Sequence, residues 1–377
     1  MKKKTPITTL AVALLCTLGI NAQKSFVKNT DSRLEVIAAI TPPGPDPSGI
    51  AVSKDGRVFL GFPRHADNHK ELALAELVKG KLEPFPNKAY VYPSDKPYKD
   101  WLVSPHGMTM DSTGLLWIVD DGKRSGITEI PEGAAKVVAI DITTRAIVHS
   151  IAIDKEAMGN DSHLNDLRVD LTHGAKGMVY IANSGFGERY SLVVVDIATG
   201  KSREVLLDHE SVAPEPGFMA YLERQPSQYD PKKQAFPVGG ADGIALSPEG
   251  KTLYWTAITG RKLYSIPTAL LSNFETSQYA LAKAVTYEGE RPACDGLAED
   301  EKGNLYFGSF EQLSLVQRRA DGSYTLLVHD DRLGWPDGLF FRDGYLYVTL
   351  GQWNRLPSFN QGKDLREPPY LVCRIKL

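Results

Sequence analysis

Asp242-Gly243-Ile244-Ala245-Leu246, a polar turn ending at Gly250, then Leu253-Tyr254-Trp255: this phrase sets the architecture, because it recurs. Asp295-Gly296-Leu297 with Leu305-Tyr306-Phe307 is a second sharp copy, and Asp337-Gly338-Leu339 with Tyr345-Leu346-Tyr347-Val348 a third. Earlier copies vary the first residue. They read Ser48-Gly49-Ile50 with Val58-Phe59-Leu60, His106-Gly107-Met108 with Leu116-Trp117-Ile118, and a degenerate Asn165-Asp166-Leu167 with Val179-Tyr180-Ile181. Six irregularly spaced copies of one strand–turn–strand unit predict an all-β fold, a six-bladed β-propeller. Within each unit the glycine starts a strand in a crowded place near the axis. The apolar run is that strand, buried on both faces, and the Asp-Gly or Asp-to-Gly piece is a hairpin turn.

The chain has 377 residues, 42% of them hydrophobic, with glycine and proline spread along its length. Length alone would suggest two or three domains. The recurrence argues instead for one closed propeller over 23–377, with long connections at 62–104 and 205–238. The final strand, 369–377, is expected to pair with N-terminal strands and close the ring, which removes an exposed sheet edge.

Residues 1–22 read as an export signal. Lys2, Lys3 and Lys4 precede an apolar stretch from Leu10 to Ile20, and Ala22 ends a cleavage site. Leu15 stands where a lipidated Cys16 would need a small residue. The expected location is periplasmic or extracellular, and no later stretch is apolar enough for a transmembrane segment. Loss of the three leading lysines takes the formal charge from −3 to −6, which gives nucleic acid no basic footprint. Cys294 and Cys373 are expected as buried free thiols, with Cys373 at a blade's edge.

Six phrases opening at one end of an axis bring their first residues together: Ser48, His106, Asn165 with Asp166, Asp242, Asp295 and Asp337. Hard oxygen donors in such a collection suit Ca²⁺ or Mg²⁺ better than Zn²⁺. Each aspartate also has a structural reading, as an acceptor for backbone N–H groups of a turn. Asp55, Asp111, Glu249 and Asp300 fall in hairpin turns and read as structural. His163 is close enough in sequence to the Asn165 phrase to reach the mouth. His65 and His69 read as an incidental surface pair on a short helix. Ser184-Gly185-Phe186-Gly187 is glycine-rich, but no helix follows to make a phosphate cradle. No Cys/His zinc spacing and no nucleophile elbow are present.

Residues 241–250 and 261–267, Cys294 to Ala298 with 303–308, Leu116 to Gly122, Asn165 to Asp170 and Trp335 to Gly338 together resemble the major royal jelly protein/yellow family. The similarity runs from about residue 45 to 357. It implies a secreted six-bladed propeller, distantly related to the calcium-dependent gluconolactonase/SMP-30 group. It does not imply one activity: members include small-molecule binders, storage proteins and proteins linked to dopachrome conversion. The lactonase relatives hold their ion with a Glu, two Asn and an Asp. Those places fall here on Ser48, Asn165, Asp242 and Asp295, so Ser48 departs from the pattern.

The leading expectation is therefore an exported propeller that binds a small molecule, and converts it if it is an enzyme, at its channel mouth. Phe62, Tyr90, Tyr92, Trp101, Phe218 and Tyr221 would line that mouth. Asp295, Asp242 and His106 would carry the chemistry; Ser48, His106, Asp166 and Asp337 would face the ligand. One alternative is a sugar-lactone hydrolase with Ca²⁺ on Asn165, Asp242 and Asp295. A second is a protein-interaction scaffold.

Overall fold

A computed structural model describes residues 29–185, 187–223, 225–228 and 238–377. The proposed export signal lies outside the described residues.

Six four-stranded antiparallel sheets form the blades of a six-bladed β-propeller. Their innermost strands are Ile50–Val52, Pro105–Met110, Leu164–Asp170, Ala241–Leu246, Leu297–Glu299 and Pro336–Arg342. Each contacts the inner strand before and after it, and the last returns to the first. All six repeated phrases lie at the head of these strands.

Close packing at the axis explains the glycine. A Cβ at Gly296 would lie 1.8 Å from the Asp337 carbonyl oxygen of the next blade, and one at Gly49 would lie 2.1 Å from that of His106. Neighbouring inner strands touch backbone to backbone, so no larger residue fits. Four phrases also coincide with register shifts, between Pro105 and Met108, Leu164 and Leu167, Ala241 and Ile244, and Pro336 and Leu339. Such bulges re-aim side chains, and here the displaced residues are the polar ones.

The hairpin aspartates act as struts. Asp111 accepts the Trp117 indole N–H at 2.7 Å, Asp170 the Tyr180 hydroxyl at 3.0 Å, and Asp300 the Tyr306 hydroxyl at 2.8 Å. Each also accepts backbone N–H groups of its own turn. The turn is thereby tied to the aromatic of the second strand.

The sixth blade is built from both ends of the chain. Its order is Pro336–Arg342, Tyr345–Leu350, Tyr370–Lys376 and, outermost, Leu34–Ile40. A polar clasp secures the outer strand. The backbone N–H of Asp31 donates to Asp330 at 2.8 Å, and Arg332 donates to the carbonyls of Asp31 and Leu34. Cys373 sits third from the axis, between two partner strands rather than at the edge. It and Cys294 are buried free thiols.

The connection at 62–104 contains more than loop. Leu74–Val78 and Lys81–Pro84 are the outer strands of the first blade. Within 205–238, Met219–Leu222 and Gln225–Gln228 form a separate hairpin. No helix among the described residues is long and apolar enough to cross a membrane.

Candidate functional site at the channel mouth

The six phrase residues meet side chain to side chain around the axis. Ser48 Oγ lies 3.4 Å from His106 Nδ1. His106 is hydrogen-bonded to Asn165, Asn165 to Asp242, and Asp242 to Asp295. Asp295 feels the charge of Asp337, and Asp337 is hydrogen-bonded to Ser48. One residue from each blade thus closes a polar ring. All six are buried.

Donors from behind hold the acids in place. Ser184 Oγ donates to Asp242 Oδ2 at 2.9 Å, the Trp353 indole to Asp337 Oδ2 at 2.6 Å, and the Trp335 indole to Asp295 Oδ2. Trp335 and Trp353 belong to an apolar cluster with Phe218, Phe310 and Leu356. Phe310 and Trp335 stack with centroids 4.7 Å apart.

Burial decides the electrostatics, because it penalises the charged form. It raises Asp242, against the hydrogen bonds from Asp295, Ser184 and Asn165. Burial, and then the charges of Asp337 and Asp242, hold Asp295 well above the usual carboxylate range. Asp337 is pushed up to about 7 by burial, despite its bonds to Trp353 and Ser48. Asp166 retains partial exposure at the channel, yet desolvation takes it to about 8. Burial, with His163 nearby, keeps His106 neutral, well below the usual imidazole value. A cluster of this kind either shares protons among its carboxyls or surrounds a cation.

Asp242 is hydrogen-bonded to both Asn165 and Asp295, which sets three oxygen-bearing side chains in a row of the kind a hard divalent cation uses. Ser48 offers only a hydroxyl where the lactonase pattern has a carboxylate. Asp337, bonded to Ser48, brings a carboxylate beside that position. The chemistry of these donors, oxygen throughout, is that of a Ca²⁺ site rather than a Zn²⁺ site.

The aromatics divide differently from expectation. Phe62 and Tyr90 are buried in the first blade's core, with Tyr92 packed against it. Trp101 belongs to a cluster with Val103 and Ala134, and Tyr221 is 51% exposed. Of the expected six only Phe218 joins the apolar cluster of Trp335 and Trp353. The pre-strand tryptophan of the sixth blade, Trp335, and Trp353 take the place of the others.

Histidines supply the larger correction. His65 and His69 lie in irregular chain, not on a helix. His69 Nε2 braces the Phe62 carbonyl at 3.3 Å. His65 turns inward to pack against His106 and His163, with ring centroids 5.1 and 4.6 Å away. Nothing in the local pattern at His65 marks it, because it belongs to no phrase. Asp121, hydrogen-bonded to His163 Nδ1 at 2.8 Å, falls in the Leu116 to Gly122 stretch of the resemblance, which assigns it no role at the site.

Comparison with known proteins agrees with this architecture. Major royal jelly protein 1 of Apis mellifera is 25% identical over 236 residues, which cover 56% of this chain and 50% of that protein. The chain thus spans about half the length of the curated relatives it matches. Among solved structures, a luciferin-regenerating enzyme superposes with a TM-score of 0.54 at 13% identity, covering 91% of this chain and 95% of that one. The calcium-binding protein regucalcin from Agrobacterium tumefaciens gives 0.51 at 13% identity, covering 90% and 93%. These likenesses establish a shared fold. The sequence profile of the major royal jelly proteins matches residues 103–351, five of the six phrases and every ring residue but Ser48, so the chain belongs to the major royal jelly protein family.

Proposed function

We propose that this chain is an exported propeller that binds a small molecule at its channel mouth and converts it there. The supporting observation is the polar ring of Ser48, His106, Asn165, Asp242, Asp295 and Asp337, joined through Trp335 and Trp353 to an apolar cluster. Small-molecule sites take this form, an apolar enclosure with a few fixed polar groups. Asp242 and Asp295 are the proton-carrying pair: sharing a proton, one donates while the other accepts. His106, neutral and hydrogen-bonded to Asn165, exchanges a proton with the ligand. Ser48, Asp166 and Asp337 orient the ligand's polar groups. Export rests on the reading of residues 1–22.

Tryptophan emission tests this reading, since Trp335 and Trp353 donate to ring acids. Small aromatic amines and sugar lactones would be titrated against the mature chain without added metal. Saturable quenching that weakens in Trp353→Phe supports the reading; unresponsive emission across the panel counts against it.

A second reading is calcium-dependent sugar-lactone hydrolysis, favoured by the hydrogen bonds that join Asp242 to both Asn165 and Asp295. Those three would hold the ion, and Ca²⁺ would polarise the lactone carbonyl. Asp337 would accept the proton of the attacking water. A Ca²⁺-dependent rise in Tm, reversed by EDTA and lost in Asp295→Ala but kept in Asp337→Ala, is the expected result. Absence of both that rise and lactone turnover would exclude hydrolysis by this route.

A further inference from the structure

Beside the ring lies a second constellation, built from three histidines. His65 comes from the connection after the first blade's second strand. His106 heads the second blade's inner strand, and His163 immediately precedes the third blade's inner strand. One ligand nitrogen from each lies within 4.8 Å of the others, and these three form the sole such group of His, Cys, Asp or Glu among the described residues. Ring packing is mutual, with His106 and His163 at 4.8 Å between centroids and edge to face. Trp353 closes one side, 5.6 Å from His65.

We propose that His65, His106 and His163 form a three-imidazole binding site for a divalent transition ion of the zinc class. Three histidines make the ligand set of a catalytic rather than a structural zinc site, since they leave a fourth position for water or substrate. Tetrahedral coordination at 2.0–2.1 Å needs nitrogens about 3.4 Å apart, so side-chain adjustments of about 1 Å close the site. Imidazole nitrogen discriminates against Ca²⁺, which takes oxygen ligands. The site is therefore chemically distinct from the oxygen donors of Asn165, Asp242 and Asp295, although His106 adjoins both.

Two further features support it. Asp121 Oδ2 accepts from His163 Nδ1 at 2.8 Å, the carboxylate–histidine arrangement that fixes a metal-binding tautomer and assigns the coordinating lone pair to Nε2. Asp121 is itself held by the backbone N–H of Lys123 at 2.9 Å, and its charge opposes that of the nearby Lys123 ammonium. Burial also keeps all three imidazoles neutral, the form that binds metal.

The test is metal binding by the mature chain, with no small molecule present, so it is independent of the proposed ligand reading. Zn²⁺ would be titrated calorimetrically, and Co²⁺ followed by its visible d–d spectrum. One ion per chain, a low-symmetry Co²⁺ spectrum and no displacement by excess Ca²⁺ are expected. His65→Ala and His163→Gln should each abolish the spectrum, and Asp121→Asn should weaken binding 10- to 100-fold. Circular dichroism and Tm would show that each variant is folded. If His163→Gln fails to fold, His65→Ala, which lies in irregular chain outside the blade strands, decides alone. No Zn²⁺ binding by the wild type, or folded variants that bind as it does, would overturn the proposal.

Discussion

Asp242 and Asp295, on neighbouring blades, hydrogen-bond to each other side chain to side chain at the propeller axis. Carboxyl groups in such contact must share a proton unless a cation lies between them. Asp295→Asn keeps a partner for both Asp242 and the Trp335 indole, so its stability should fall within about 1 kcal/mol of wild type. Asp295→Ala removes the acceptor of a buried indole and should cost about 1–3 kcal/mol. Urea melts of the two variants, measured side by side, check the difference.

Inner-strand glycines should not tolerate a methyl group. Gly296→Ala drives a Cβ into the Asp337 carbonyl of the next blade, and backbone cannot move aside as a side chain could. A loss of about 1–3 kcal/mol or more is expected. Gly334→Ala is the control: its Cβ would meet nothing within 4 Å, so its denaturation midpoint should stay near that of wild type.

The clasp on the sixth blade makes stability depend on acid. Burial raises Asp330, but hydrogen bonds from Arg332 and from the Asp31 backbone outweigh it and hold the carboxyl below its usual range. Its folded pKa is thus below its unfolded one. The stabilisation is complete above the unfolded value of about 3.9 and disappears as pH falls through the folded value. Asp330→Ala should lower Tm by a few degrees at neutral pH, and its Tm should fall less steeply than wild type below about pH 4. Parallel acid-dependent Tm curves would contradict this.

How much of this was legible in the sequence follows from what marks each residue. The six ring residues were visible because each stands beside an inner-strand glycine or its degenerate equivalent, and axis crowding forces that pairing. Closure by the 369–377 strand was visible because one sheet edge remained to be filled. The outer strands Leu74–Val78 and Lys81–Pro84 were hidden by a proline-rich surrounding and a short, charged outer strand. His65 was hidden for a different reason. Its position depends on the path of the whole 62–104 segment, which buried Arg64 ties down by donating to the carbonyls of His69, Glu71, Val91, Leu102 and Val103. No local pattern encodes that path.

Lys136 and Asp120 support the same region from below. Their buried ion pair is 2.6 Å long, and Asp120 also accepts the backbone N–H groups of Val103 and Ser104, which lead into His106. Lys136→Met leaves an uncompensated buried carboxylate and should cost about 3–5 kcal/mol. Adding Asp120→Asn should recover part of that loss, as chemical denaturation of the single and double variants would show.

The most direct test of the channel-mouth site is an affinity comparison. A panel of sugar lactones and small aromatic amines would be titrated calorimetrically, with and without Ca²⁺, against wild type and folded Asp242→Asn. The account requires at least one compound to bind the wild type and to lose tenfold or more in affinity, about 1.4 kcal/mol, in the variant. Binding that is equal in both proteins, or absent from the whole panel, would contradict it.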